Sequence, residues 1–280
     1  MTVGPTPAAV LKDLLAAGRV RFRKSLSQHF LTDPRALEGL VRALGPGPED
    51  VVIEIGPGAG FLTERLVATG ARVIAVEVDG AMATLLRERI PSPRLTIMVS
   101  DFLRVTVAEL AAAAGATRVL LAGNLPYHVT TPLLFHVLPD RDRIARMVFT
   151  VQREVGARLC ARPGSKDYGA LTVAIAHAGV CERLFGIGAG AFVPAPRISS
   201  VAVRLVPAPV RLAPAGERRL NEVTRASFGH RRKTLANALA ELSGGREGAV
   251  AALARAGIDP GRRGETLTLA EFERLAACFG

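Results

Sequence analysis

Five short runs rich in β-branched and aliphatic residues, at 51–55, 72–76, 95–99, 119–122 and 147–151, recur along the chain with helical segments between them. Parallel strands cannot be joined by a tight hairpin, so this alternation specifies a parallel sheet covered by helices. A sixth run at 202–206 adds a strand, and Pro207, Pro209 and Pro214 after it mark a linker. Residues 216–280 carry helical spacing and no convincing strand. The expectation is an α/β domain over 1–206 and a small all-helical domain over 207–280. Helices are also expected over 6–17 and over 33–44, the second capped by Asp33 with Pro34 in its first turn. The alanine-rich stretch 111–116 reads as the end of a surface helix.

Hydrophobic residues make up 49% of the 280, enough to bury a core without disulfides or structural metal. Cys160, Cys181 and Cys278 are odd in number and widely spaced, which suits neither a disulfide framework nor a zinc site. A reducing cytoplasm and no bound metal are expected. No apolar run approaches the ~20 residues that span a bilayer, and the amino terminus lacks the charged-then-apolar order of a signal peptide. The net charge of +11 points to a polyanionic partner, nucleic acid ahead of a ribosomal or membrane surface, or else serves solubility alone, nearly all the basic residues being Arg. Arg19, Arg21, Arg23 and Lys24 form a basic stretch without acids, which reads as a phosphate-contacting arm or as a solvated linker.

The first strand runs into Gly56-Pro57-Gly58-Ala59-Gly60 and then a helix, the geometry of a nucleotide-binding turn. Glu77 ends the next strand, where a carboxylate can accept hydrogen bonds from both ribose hydroxyls. Asp101 follows the third strand, placed for a cofactor's adenine amino group with Phe102 beside the ring, although a helix cap is the plainer role for it alone. In a dinucleotide fingerprint the third glycine falls three residues after the second. Here Gly60 falls two residues after Gly58, Pro57 lies inside the loop, and Glu54 precedes it, a combination that favours S-adenosylmethionine.

Gly123-Asn124-Leu125-Pro126-Tyr127 follows the fourth strand. Adenine's exocyclic amine is a poor nucleophile because its lone pair is delocalised into the ring. Accepting its two hydrogens at the Asn124 side-chain oxygen and the Leu125 carbonyl favours a more tetrahedral nitrogen with an available lone pair. Pro126 fixes the backbone, and Tyr127 offers its face to the base. A methyl group on a sulfonium is already activated, so in-line displacement needs positioning more than acid–base catalysis.

Taken together, several segments resemble the ribosomal RNA adenine dimethyltransferase family, and within it the bacterial small-subunit (16S) branch. They are Ser27-Gln28-His29-Phe30-Leu31, the turn through Thr63, Glu77-Val78-Asp79, Asn124 to Tyr127, Gln152-Arg153-Glu154-Val155, Tyr168 to Val173, and Phe192-Val193-Pro194-Ala195-Pro196-Arg197-Ile198-Ser199-Ser200. The resemblance implies a Rossmann-like S-adenosylmethionine methyltransferase sheet with a helical carboxy-terminal RNA-recognition domain. It implies that His29 and Leu31 close over the cofactor, that Gly56, Gly58, Glu77, Asp101 and Phe102 hold it, and that Asn124 touches cofactor and target. Phe192 would stack on the flipped adenine opposite Tyr127. Arg21, Arg23, Lys24, Arg197, Arg231, Arg232 and Lys233 are the candidate contacts for RNA phosphates, Arg231, Arg232 and Lys233 reading equally as a solvated helix face. The family usually has Asn where His29 stands and Gly where Ser100 stands.

The function so implied is dimethylation of two adjacent adenosines in the 3′-terminal hairpin loop of 16S rRNA, in the small subunit or its precursor, by a monomeric cytoplasmic enzyme. A ribosome-assembly factor acting mainly by binding and a DNA adenine methyltransferase are the alternatives. A nicotinamide dehydrogenase is a more distant one.

Overall fold

The computed structural model describes residues 4–22, 28–127, 129–230 and 232–279. Arg23, Lys24, His128 and Arg231 lie outside the described residues. The chain divides into two compact units, 1–156 with 182–207, and 157–181 with 208–280. The stretch 157–181, expected in the first domain, thus belongs to the helical unit, because Tyr168 and Val173 pack into its core.

In the first unit, β2 (Val51–Ile55), β3 (Arg72–Glu77), β4 (Leu95–Val99), β5 (Val119–Asn124) and β6 (Ile144–Gln152) are parallel, and β9 (Ser200–Pro207) runs antiparallel to β6. With β7 (Gly179–Ile187) the order is β4-β3-β2-β5-β6-β9-β7. Every residue of β2 is buried, as a strand covered on both faces requires. The order reverses between β2 and β5, and a crevice outside the carboxyl ends of the strands is the usual ligand site at such a point. The crossovers are α3 (Phe61–Ala68), α4 (Gly80–Arg89), α5 (Val107–Ala113) and α6 (Thr130–Val137).

Ahead of the sheet come α1 (Pro7–Ala16) and α2 (Pro34–Leu44). Asp33 caps α2 by accepting from Ala36 N at 2.8 Å, and Gly45 ends the helix at a φ of 60°. Between them β1 (Phe30–Leu31) pairs antiparallel with β8 (Phe192–Val193), Phe30 opposite Val193 and Leu31 opposite Phe192. Arg19, part of the basic stretch, is paired with Glu88 of α4.

After α7 (Arg153–Leu159), the helical unit holds α8 (Ala170–Ala178), α9 (Pro214–Phe228), α10 (Leu235–Ala238), α11 (Arg246–Arg255) and α12 (Leu269–Ala277). Its core gathers Leu220, Val223, Leu235, Leu253, Phe272 and Leu275. Buried Tyr168 donates its hydroxyl to Leu267 O at 2.9 Å. His177 has Glu273 Oε1 2.8 Å from Nδ1 and Glu217 Oε1 3.0 Å from Nε2. Cys160 and Cys181, distant in sequence, bring their sulfurs to 3.6 Å. Among the described residues no helix is long and apolar enough to cross a membrane.

Candidate active site at the carboxyl ends of the parallel strands

A cavity of about 260 Å³ opens where β2, β3, β4 and β5 end. It is lined by the glycine turn, Glu77, Asp101, Phe102 and Asn124 to Tyr127, together with His29, Phe30 and Leu31 from β1 and the residue before it. Four motifs lying between Gly56 and Tyr127 therefore converge, because each ends a strand of one parallel sheet.

The turn is shaped for close approach. Gly58 has a φ of 53°, and a Cβ there would meet the Phe30 ring at 2.8 Å. Its N–H donates to Glu77 Oε2 at 2.9 Å, while Asp79 N donates to Oε1 at 2.9 Å. Glu77 is 4% exposed, and burial pushes its carboxyl up while those two amides pull it down. Glu54, one strand away, is 2% exposed and its Oε2 has no hydrogen-bond partner. Burial raises its carboxyl from 4.5 to about 8, Thr63 pulling down and the Glu77 carboxylate adding to the rise.

Asp101 has the capping role. Its Oδ1 caps the turn Phe102–Arg104 by accepting from Leu103 N at 3.0 Å, and the residue also lines the cavity. Phe102 is buried with its ring edge-on to His136.

At the end of β5, Gly123 has no room for a side chain, since a Cβ would lie 2.7 Å from Ile55 O. The Asn124 amide nitrogen donates to His29 O at 2.7 Å. A carbonyl can only accept, so this contact fixes the amide orientation and leaves Oδ1 as the acceptor for a ligand. Leu125 N donates to Thr150 O at 3.2 Å, and Pro126 O accepts from Val129 N and from Thr130 Oγ1, both at 3.1 Å. The backbone is thereby held in a turn that opens α6. Tyr127 OH lies 2.9 Å from Ser200 Oγ, and burial raises its phenol. The His29 ring stacks on Tyr127 with centroids 5.4 Å apart, its Nδ1 donating to Pro194 O at 2.7 Å. Sequence reasoning missed Ser200 as the anchor of Tyr127, since a serine before a strand carries no signal of its own.

Phe192 corrects an expectation. The resemblance sets it against the flipped adenine opposite Tyr127, but it is 2% exposed, lies in the core and does not line the cavity. The pairing of β8 with β1 sets it opposite Leu31, and the side chain packs inward. Of the residues expected to meet phosphate, Arg21, Arg197, Arg232 and Lys233 are exposed.

The cavity fits S-adenosylmethionine by its chemistry. A buried carboxylate suits a ribose, the flat apolar wall of Phe102 suits an adenine, and open space at the Gly56 Cβ position admits a ligand against the turn. Fold and site define an S-adenosylmethionine-dependent methyltransferase. The Ribosomal RNA adenine dimethylase family matches residues 19–279, and the chain belongs to it. It is 43% identical to the "Ribosomal RNA small subunit methyltransferase A" of Myxococcus xanthus, over 96% of this chain and 95% of that one. The protein of the same name from Pelotomaculum thermopropionicum is 41% identical, over 100% and 98%. Among solved structures, a dimethyladenosine transferase from Plasmodium falciparum superimposes with a TM-score of 0.74 at 21% identity, covering 88% of this chain and 96% of that one. The 23S rRNA methyltransferase ErmE does so at 0.67 and 24%, covering 89% and 99%. These two share the fold.

Proposed function

We propose that this enzyme dimethylates the exocyclic amines of two adjacent adenosines in the 3′-terminal hairpin loop of small-subunit rRNA, acting on the subunit or its precursor in the cytoplasm. The observation that carries the reading is the Asn124 amide, locked by His29 O so that Oδ1 stands as an acceptor at the end of β5. The full-length likeness to relatives named for the small subunit supports the choice of RNA.

Leu31, Gly56, Gly58, Glu77, Asp101 and Phe102 would hold the cofactor, which supplies a methyl group on a sulfonium. Asn124 Oδ1 and Leu125 O would accept the two amine hydrogens, raising the nitrogen lone pair toward the methyl. Tyr127 would hold the base by its face, with its hydroxyl pinned by Ser200. No residue need remove a proton before transfer, because the amine attacks as a neutral nucleophile, and the surplus proton of the methylated nitrogen passes to water afterwards. In the second round the monomethylated amine offers one hydrogen, so one of the two acceptors is idle and the base must turn within the pocket. Arg21, Arg197, Arg232 and Lys233 would serve as phosphate contacts.

Methyl transfer from labelled S-adenosylmethionine to unmethylated small subunits, naked rRNA and duplex adenine DNA tests the reading. Incorporation into rRNA as dimethyladenosine is expected. Preference for the duplex would establish a DNA methyltransferase instead, and binding of subunits without any incorporation an assembly factor.

A further inference from the structure

The loop between β8 and β9 presents two neighbouring exposed side chains, Arg197 and Ile198, between buried Pro196 and buried Ser200. Ile198 is 45% exposed, in a loop tied down on both sides. Pro194 O accepts from the His29 ring at 2.7 Å. Ser199 O accepts from Arg153 N at 3.0 Å, and Ser200 pairs with Gln152 at the start of β9. Ser200 Oγ also meets Tyr127 OH. Pro194 and Pro196 further restrict the backbone between these anchors. The exposed pair is therefore carried on a stiff support whose next residues hold the wall of the target-base pocket.

Several apolar side chains near the site are exposed, Phe22 and Val99 among them. Val78 and Leu103 line the cofactor cavity, whereas Ile198 does not. A base taken out of its stack leaves a gap between its neighbours, and the stack closes again unless something fills it. Proteins that unstack nucleic acid commonly insert an aliphatic wedge at such a step. An aliphatic tip with a guanidinium beside it suits that task, the one entering the stack and the other meeting the adjacent phosphate.

We infer that Ile198 is the wedge that fills the stack vacated by the target adenosine, with Arg197 fixing the flanking phosphate. The inference rests on the adenine-methylating reading above. Ile198 touches neither cofactor nor the reacting amine and acts through the position of the RNA.

Steady-state methylation of unmethylated small subunits by wild type, Ile198→Ala, Ile198→Met and Arg197→Gln tests it. The Ile198→Ala enzyme is expected to lose at least tenfold in kcat, with subunit KM within about twofold, and Ile198→Met to recover most of that loss. Arg197→Gln is expected to raise KM and to reduce the salt dependence of binding by roughly one counterion. Affinity for S-adenosylhomocysteine and the melting temperature stay at wild-type values in all three, which separates a wedge from a fold defect. Equal kcat for Ile198→Ala and wild type overturns the wedge while leaving the enzyme's activity in place. So does a loss in Ile198→Ala that Met fails to restore. A wild-type enzyme that does not methylate the subunits removes the underlying reading instead.

Discussion

The side-chain amide of Asn124 donates to the backbone carbonyl of His29 at 2.7 Å, joining the end of β5 to the residue before β1. Ninety-five positions separate the two in sequence. The contact uses the half of the amide that transfer does not need and leaves the half that it does. Asn124→Asp replaces the donor with an acceptor facing a carbonyl oxygen and breaks this arrangement. Its kcat should fall by roughly 10²-fold or more, the scale of losing one preorganised polar contact at a reacting centre. Asn124→Ala should lose transfer similarly yet still bind the small subunit in a pull-down. Retained transfer in either would remove Asn124 from the mechanism.

Much of this site was legible in the sequence because its parts obey local rules. A buried strand, a glycine turn with a proline inside it and an acidic residue at the next strand end can be read from spacing, and β3 ends on Glu77 as expected. What was not legible depended on pairing between distant segments. Two-residue strands such as β1 and β8 have no periodicity, so nothing local showed that Phe192 would be drawn into the core opposite Leu31. Exposed instead are Arg197 and Ile198, farther along in the loop before β9. Likewise, helix α8 carries apolar residues that would suit either unit. Only the packing of Tyr168 and Val173 assigns that segment to the helical one.

Glu54 should make stability depend on pH in a direction opposite to that of an ion-paired carboxylate. Its folded value of about 8 lies above the ordinary 4.5, so the folded state holds a proton that the unfolded chain releases between these values. Stability from this group is complete below 4.5, declines as pH rises, and levels off above 8, with a slope approaching 1.4 kcal/mol per pH unit. Glu54→Gln keeps the shape without the titration. Denaturant midpoints of the variant should vary less than wild type between pH 5 and 8. Identical pH profiles would show that Glu54 is ionised in the fold.

Glu271 provides the converse case. The Arg262 guanidinium, with Thr268 at the start of α12, holds its carboxyl down at about 2, below the ordinary 4.5. Its contribution is present above 4.5 and lost as pH falls through 2. Thr268 and Glu271 form a reciprocal cap on α12, accepting one another's backbone N–H groups. Thr268→Ala should cost about 1 kcal/mol. Glu271→Gln should lower the unfolding midpoint at pH 7, and its difference from wild type should close as pH approaches 2, as followed by circular dichroism.

Gly58 joins the shape of the turn to the chemistry of the cofactor pocket. Its positive φ disfavours any side chain, and even a methyl group would press on Phe30, itself held by the pairing of β1 with β8. Relief requires either the turn or Phe30 to move. Movement of the turn pulls the Gly58 N–H away from Glu77 Oε2 and leaves that buried oxygen short of a donor, while movement of Phe30 alters the cavity wall. Either route damages the pocket before it damages the fold, because the strands beneath are paired along their length and do not depend on the turn. Gly58→Ala should therefore weaken S-adenosylhomocysteine binding by at least tenfold in calorimetry, with a fall in melting temperature of only a few degrees. Unchanged affinity would mean that the turn does not contact the cofactor.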